Sequence, residues 1–333
     1  MTVLITGGAG YIGSTTATAL EQAGHDVVIL DDLSSGPLAF TAGRAFYRGD
    51  VADRALLDRI HAEHPDLDTI IHMAAKIVVP ESMSLPYAYY HNNVAKSLEL
   101  FDWAARAGLD QIVFSSSASV YAPPTHGTEV TEESALDPAS PYARTKAQTE
   151  QILADLAATG RLRAVILRYF NPIGSDPGLT TGVYARTPSH IVGQLTLVAT
   201  GQLPAFAITG TDFDTRDGTG LRDYVPVWDV ARAHVRVVEA FDAALGGSSS
   251  RVFNVGTGRG TTVRELVAAF ESVTGMTLPV VEAPRRPGDV AGAYAGVGRI
   301  AVELGWRAEQ SFDEALHGAV EWMRRRESVL GYA

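Results

Sequence analysis

Short apolar runs alternate with longer amphipathic stretches through the first half of this 333-residue chain. Val3–Thr6, Asp26–Leu30, Ala45–Arg48, Thr69–His72, Gln111–Ser115 and Ala164–Arg168 predict strands. Between them, Tyr11–Ala23, Asp53–His64, Tyr87–Ala107 and Tyr142–Ala158 predict helices. The last two follow Pro86 and Pro141, placed where a helix can start. Alternation of this kind builds a parallel sheet with helices on both faces.

After Asn171-Pro172 the alternation breaks down, and Gly, Thr, Asp and Pro crowd residues 176–186 and 209–219. Helices are expected at Pro188–Thr200, Asp229–Ala244, Thr262–Thr274 and Phe312–Arg325, with strands at Phe206–Ile208, Val252–Asn254 and Leu278–Glu282. The link Gly246–Ser250 is a flexible connection. The fold class is therefore α/β, a doubly wound parallel (Rossmann) sheet with a smaller mixed α/β lobe. Residues 1–170, with a return segment near 226–250, form the first unit; 171–225 and 251–333 form the second.

Composition narrows the chemistry. A net charge of −11 argues against a basic surface for nucleic acid. The absence of cysteine excludes disulfides, thiolate catalysis and cysteine-ligated metals. His61 and His64 have no third ligand at a suitable spacing, so no metal is expected. The chain enters the strand Val3–Thr6 almost directly and has no run of about 18 apolar residues, which predicts a soluble cytoplasmic protein without a membrane span.

Thr6-Gly7-Gly8-Ala9-Gly10-Tyr11-Ile12-Gly13 closes the first strand and opens the first helix. Gly7, Gly10 and Gly13 let the backbone turn, approach a pyrophosphate and pack helix on strand. Asp31 ends the second strand about twenty residues on, where a carboxylate accepts from adenosine ribose hydroxyls. No arginine stands beside it, and Asp32 repels a 2′-phosphate, which favours NAD over NADP. Asp50, at the end of the third strand, is placed either to meet an adenine edge or to cap the following helix.

Downstream, Ser115-Ser116-Ser117 leaves the fifth strand at the carboxyl edge, and Tyr142 and Lys146 lie four residues apart on a helix. A phenol ionises near pH 10, so bringing it to 7 takes about 3 units, or about 4 kcal/mol. The lysine ammonium on the same helix face favours the phenolate, and the positive ring of a bound nicotinamide adds to it. Ser117 can hydrogen-bond a reacting oxygen while Tyr142 exchanges its proton.

Glycine loop, strand-end serine and Tyr/Lys helix together resemble the extended short-chain dehydrogenase/reductase superfamily. Within it, the chain is similar to the UDP-galactose 4-epimerase family over essentially its whole length. The likeness is carried by Ile5–Gly13, Phe114–Tyr121, Ser140–Tyr142, Leu167–Pro172, Asp217–Tyr224, Ala283–Asp289 and Leu304–Trp306. Dehydratases of the superfamily carry an Asp-Glu pair just after the strand-end hydroxyl, where this chain has Ser116-Ser117-Ala118, which argues against that branch.

The resemblance implies an NAD-dependent epimerisation of a UDP-hexose through a transient 4-keto sugar, with Tyr142, Lys146 and Ser117 catalytic. It places NAD against Gly7, Gly10, Tyr11, Ile12, Gly13, Asp31, Asp50, Val51, Met73, Ala74, Ala75, Asn93, Ser115, Tyr142, Lys146 and Tyr169. Ser117, Tyr142, Asn171, Arg222, Arg286 and Gly292 would meet the substrate, the arginines pairing with its pyrophosphate. A homodimer is implied through helices Tyr87–Ala107 and Tyr142–Ala158, whose apolar stripes can equally pack on the sheet.

Three positions depart from the family pattern. Lys76 stands one residue before the place of a lysine in several relatives, where this chain has Ile77. Ser189-His190 replaces an asparagine pair. An ungapped match puts Gly292, in place of a bulky tyrosine, at the sugar pocket and predicts acceptance of N-acetylated sugars; a short gap would put Tyr294 there. Other readings are an epimerase for uronic acids on the same scaffold and a dinucleotide-binding sensor, although a sensor has no need of the Tyr/Lys pair.

Overall fold

Every side chain of the first strand, β1 (Thr2–Thr6), is buried, and its residues divide between two cores. Val3 and Ile5 join one apolar cluster, and Leu4 joins another on the opposite face. A strand covered on both sides is apolar throughout instead of alternating. The pattern recurs in β2 (Asp26–Asp31), where Val27 and Ile29 face one core and Val28 and Leu30 the other. With β3 (Ala45–Arg48), β4 (Leu67–His72), β5 (Gln111–Ser117), β6 (Arg163–Tyr169) and β7 (Ser250–Val255), these form a seven-stranded sheet of order β3-β2-β1-β4-β5-β6-β7. All neighbours are parallel. The computed structural model describes residues 1–123, 128–285 and 289–331.

Helix α1 (Tyr11–Gln22) lies on one face. On the other, α2 (Arg54–Glu63), α3 (Lys96–Ala107) and α4 (Pro141–Ala158) contribute Leu57, Phe101 and Leu153 to the second core. Helix α5 (Val227–Glu239) joins α1 through Val230, Ala233 and Val237. The sheet order reverses between β1 and β4, and ligands of such sheets bind beyond the strand ends at that point.

The helix expected over Tyr87–Ala107 is divided into Pro86–Tyr90, a wider π turn over His91–Ala95, and α3. The Asn93 carbonyl accepts from the hydroxyls of Ser97 and Thr149 at 2.7 and 3.1 Å. Side chains entering the hydrogen-bond ladder open it in this way.

The return of the chain to the main sheet also runs beyond 250. Phe253 and Val255 of β7 are fully buried beside β6, and Ile300, Leu304 and Trp306 pack into the same core as β1. Apolar burial thus draws parts of 251–333 to the sheet, and those parts do not belong to the second lobe.

That lobe is built from short ladders. Asn171–Ile173 pairs with Tyr224–Pro226, and Phe206–Thr209 with Val280–Ala283, both in parallel. Its core collects Leu195, Phe206, Leu266, Phe270 and Leu316 from these segments, the helix Ile191–Ala199, α6 (Val263–Thr274) and α7 (Phe312–Leu330). Capping boxes at Thr262/Glu265 and Ser311/Glu314 start α6 and α7. Among the described residues no helix is long and apolar enough to cross a membrane.

Candidate active site

The loop after β1 turns at Gly7, whose φ is +73°, and its amide donates to the Leu30 carbonyl at 2.8 Å. A Cβ on Gly7 would stand 2.7 Å from the amide nitrogen of Ala74, and one on Gly13 would stand 2.3 Å from the Gly7 carbonyl. Close backbone approach therefore demands glycine at both positions. Gly10 caps α1 with no side chain, and no acidic residue stands in the first turn. The free N–H groups there can receive an anion. Tyr11 ties this helix to the second lobe, donating its hydroxyl to the Gly174 carbonyl at 2.8 Å.

Asp31 closes β2, almost fully buried, and accepts from the amides of Ala9 and Leu33 at 3.0 and 2.8 Å. Burial raises its pKa, while these two bonds oppose the shift. Two N–H contacts leave a carboxylate room to accept from vicinal hydroxyls. Glycine loop, open helix end and acceptor together fit a dinucleotide.

Asp50 does not cap α2. Its carboxylate pairs with Lys96 and accepts from Ala52, and Asp53 is the residue that caps α2. Val51 is buried in the core beside it. Met73 follows β4 and donates its amide to the Thr6 carbonyl at 3.0 Å. With Ala74 and Ala75 it forms the half-buried wall opposite the glycine loop. Asn93 is occupied in holding that wall. It accepts from the Lys76 amide at 2.8 Å, and its Nδ2 donates to the Lys76 carbonyl at 2.9 Å and to Thr145 at 3.1 Å. The Lys76 side chain is exposed.

Ser140 caps α4, accepting from the Ala143 amide at 3.1 Å, with Pro141 in the first turn. This start places Tyr142 and Lys146 beside the end of β5. Lys146 is buried; its Nζ donates to the Ser115 carbonyl at 2.7 Å and lies 4.8 Å from the Phe114 ring centre. Burial lowers its pKa to about 8, with Glu150 opposing. Burial raises the half-buried Tyr142 phenol, and a hydrogen bond from Ser117 acts the other way. Lys146 spends one of its three N–H donors on the Ser115 carbonyl, which holds the ammonium beside the end of β5 near Tyr142.

Other groups escaped the sequence reading. Glu150, one turn beyond Lys146, takes a buried ion pair from Arg168 and a hydrogen bond from Ser116. His72 lies between Thr6 and Ser97, and burial lowers its pKa to about 3. The hydroxyl of Tyr169 is taken up by Ser115 and His234, two buried groups. The signal for these was a polar residue at a core position of a helix or strand, visible only once the face was known.

Beyond β6 the chain enters a cavity of about 320 Å³ in the second lobe, lined by Asn171, His190, Phe206, Phe213, Arg222 and Tyr224. Asn171 donates its Nδ2 to the Asp223 carbonyl at 3.2 Å. Arg222 donates from Nη1 to the Leu221 and Ala291 carbonyls at 2.6 and 3.3 Å, leaving its other hydrogens for a ligand. His190 caps the helix Ile191–Ala199, its Nδ1 accepting from the Gly193 amide at 3.2 Å. Arg286 lies outside the described residues.

Gly292 has φ +112°, and a Cβ there would stand 1.7 Å from the Leu221 carbonyl oxygen and 2.2 Å from Arg222 Nη1. Its lack of a side chain is a backbone requirement, not room left for a sugar substituent. Among the described residues no group of acidic or histidine side chains is arranged to hold a metal.

Crossed with known proteins, this geometry has a clear place. The chain belongs to the NAD dependent epimerase/dehydratase family, whose model matches residues 3–256. It is 43% identical to a UDP-glucose 4-epimerase of Azospirillum brasilense over 333 residues, 99% of this chain and 94% of the relative. Its fold matches that of a UDP-glucose 4-epimerase from Stenotrophomonas maltophila, solved with NAD and formylated UDP-arabinopyranose, with a TM-score of 0.92. That pair is 39% identical, with 98% of this chain and 99% of the other covered. A UDP-Glc/GlcNAc 4-epimerase of Campylobacter jejuni superposes with a TM-score of 0.80 at 34% identity, over 97% and 99% of the two chains.

Proposed function

We propose that this chain is an isomerase that interconverts UDP-galactose and UDP-glucose, with NAD as cofactor and Tyr142 moving the proton of the sugar 4-hydroxyl. The observation that carries the reading is the buried Lys146 on the helix of Tyr142, its Nζ donating to the Ser115 carbonyl at 2.7 Å at the carboxyl end of β5, in a chain of this family. Bound NAD supplies a reversible hydride acceptor whose oxidised ring is positively charged. The glycine loop, the open end of α1 and Asp31 hold it.

The Tyr142 phenol, raised by burial, becomes a competent base when positive charge is close by and Ser117 donates to it. As phenolate it accepts the 4-hydroxyl proton; as phenol it returns that proton when the 4-keto sugar is reduced from its other face. Ser117 is the donor beside the reacting oxygen. Lys146, protonated below about pH 8, keeps a positive charge under the site. Asn171, Arg222 and Arg286 hold the UDP portion while the hexose turns, a division supported by the cavity on the second lobe. UDP-N-acetylhexosamines belong to the same reading, supported by the likeness to the Campylobacter enzyme.

We assign a homodimer and a cytoplasmic setting. The first is supported by exposed apolar side chains at Met83, Leu85, Tyr87 and Leu98, on and before the helical segment expected to pair. The second is supported by the absence of cysteine.

The test is a coupled assay of purified protein with UDP-galactose and no added reductant, beside Tyr142→Phe. Formation of UDP-glucose, lost in the variant, is expected. No turnover from protein that nonetheless holds NAD would move the assignment to another nucleotide sugar.

A further inference from the structure

Beneath Lys146 a row of polar groups crosses the apolar core between the sheet and α5. The carbonyl that holds Lys146 belongs to Ser115, whose Oγ lies 2.7 Å from Tyr169 Oη. Tyr169 Oη hydrogen-bonds His234 Nε2, and His234 Nδ1 lies 2.9 Å from the Val230 carbonyl oxygen. Ser115, Tyr169 and His234 are all buried, and Val165, Leu167, Val230 and Val237 around them are apolar.

Chemistry fixes each hydrogen in this row. A carbonyl only accepts, so Nδ1 carries the imidazole proton, and the neutral ring accepts at Nε2. Burial holds His234 neutral, its pKa lowered to about 4. The single Tyr169 hydroxyl proton therefore goes to His234, and the Tyr169 oxygen accepts from the Ser115 hydroxyl. Ser115 is thereby anchored by its side chain from one side of the sheet while its carbonyl holds an ammonium. A buried polar row of this kind costs desolvation wherever it leads, and this one ends on the ammonium.

We infer that His234 and Tyr169 are positioning residues for Lys146, acting through Ser115 to fix the carbonyl that holds its ammonium beneath Tyr142. The inference rests on the roles given above to Tyr142 and Lys146. The other titratable groups acting on Lys146 are Glu150 on its own helix and His72 on β4, and neither belongs to the row.

The chain has three lysines, Lys76, Lys96 and Lys146, so protein labelled with 13C at lysine Cε gives one titration curve for each. In Tyr169→Phe, which removes only the hydroxyl, the Lys146 midpoint falls because the carbonyl that stabilises its charged form is loosened. The kcat for UDP-galactose falls about tenfold, with KM changed by less than about twofold. His234→Leu does the same, and His234→Gln, whose Oε1 can accept from Tyr169, returns both readings toward those of the parent. An unmoved Lys146 midpoint in Tyr169→Phe overturns the inference, as does a glutamine no better than leucine. Should His234→Leu fail to fold, Tyr169→Phe decides alone. The lysine titration does not depend on turnover, so a parent protein inactive on UDP-galactose would count against the proposed function and leave this inference to the midpoint.

Discussion

Arg168 grips Glu150 in a buried fork one helical turn beyond Lys146, donating from Nε to Oε1 at 3.0 Å and from Nη2 to Oε2 at 2.6 Å. Both side chains are under a tenth exposed, and Arg168 also lies 4.9 Å from the Tyr121 ring centre. The pair does two things. It joins α4 to β6 behind the site, and it sets a negative charge near Lys146, where burial works against the ammonium.

Glu150→Gln separates these effects. With the carboxylate gone, the Lys146 pKa falls below its present value of about 8, and the uncompensated Arg168 charge pushes it further down. The alkaline limb of the pH–rate profile accordingly moves to lower pH. A buried arginine left without its partner also costs about 3–5 kcal/mol of stability, read as a lower urea midpoint. A limb that stays in place while stability drops would show that Glu150 is structural only.

Gly13 in the nucleotide loop and Gly298 far along the chain part company on alanine substitution. At Gly13 a Cβ meets the Gly7 carbonyl at 2.3 Å and the Gly8 Cα at 2.9 Å, both of them backbone atoms that cannot step aside. Gly13→Ala is expected to weaken NAD at least about tenfold and to lower Tm. Gly298 opens the helix Gly298–Leu304 and a Cβ there meets nothing within 4 Å, so Gly298→Ala should be neutral or stabilising by about 0.5 kcal/mol. Equilibrium dialysis with NAD and a thermal melt check both. Equal effects at the two sites would remove the case for a crowded cradle.

The position first suspected of choosing between sugars behaves differently in three dimensions. Any side chain at Gly292 must displace the Arg222 guanidinium and adopt a φ of +112°. Gly292→Ala and Gly292→Tyr are therefore expected to lower activity on UDP-galactose and UDP-N-acetylglucosamine together. Loss of the N-acetyl reaction alone would restore the gate.

Periodicity and turn chemistry made most of the sheet legible. Runs such as Val27–Leu30 can only be strands covered on both faces, and Gly7, Gly10 and Gly13 follow such a run directly. Tyr142 and Lys146 were legible through their helical spacing, though not the direction of the lysine, which depends on where the Ser115 carbonyl points. Asn93 was hidden because its function follows from a π turn, made by hydroxyls at Ser97 and Thr149 that local patterns do not distinguish from ordinary helix residues. His234 met Tyr169 across 65 positions of sequence, and only the pairing of β6 in the sheet and the packing of α5 brought them together. Ladders as short as Asn171–Ile173 with Tyr224–Pro226 carry too few residues to show a period.

Stability should fall in mild acid for a reason distinct from the active site. Burial lowers the pKa of His72 to about 3 and those of His190 and His234 to about 4. An unfolded histidine titrates near 6.5, so between that pH and about 4 the unfolded chain binds protons that the folded chain refuses. Stability from these groups is complete above about 6.5 and declines as pH falls, by about 1.4 kcal/mol per pH unit for each histidine at the steepest. Asp31, Asp223 and Asp229, raised by burial, act with the opposite sign and flatten the lower part of the curve. The window from pH 6.5 to 5.5 therefore belongs mainly to the histidines. His190→Asn keeps a cap for the helix Ile191–Ala199, since asparagine also accepts from the backbone there, and removes one titrating group. Urea midpoints measured across that window should show the slope of the variant reduced by about one proton relative to the parent. An unchanged slope would mean that His190 takes up its proton in the folded protein, with its ring open to water.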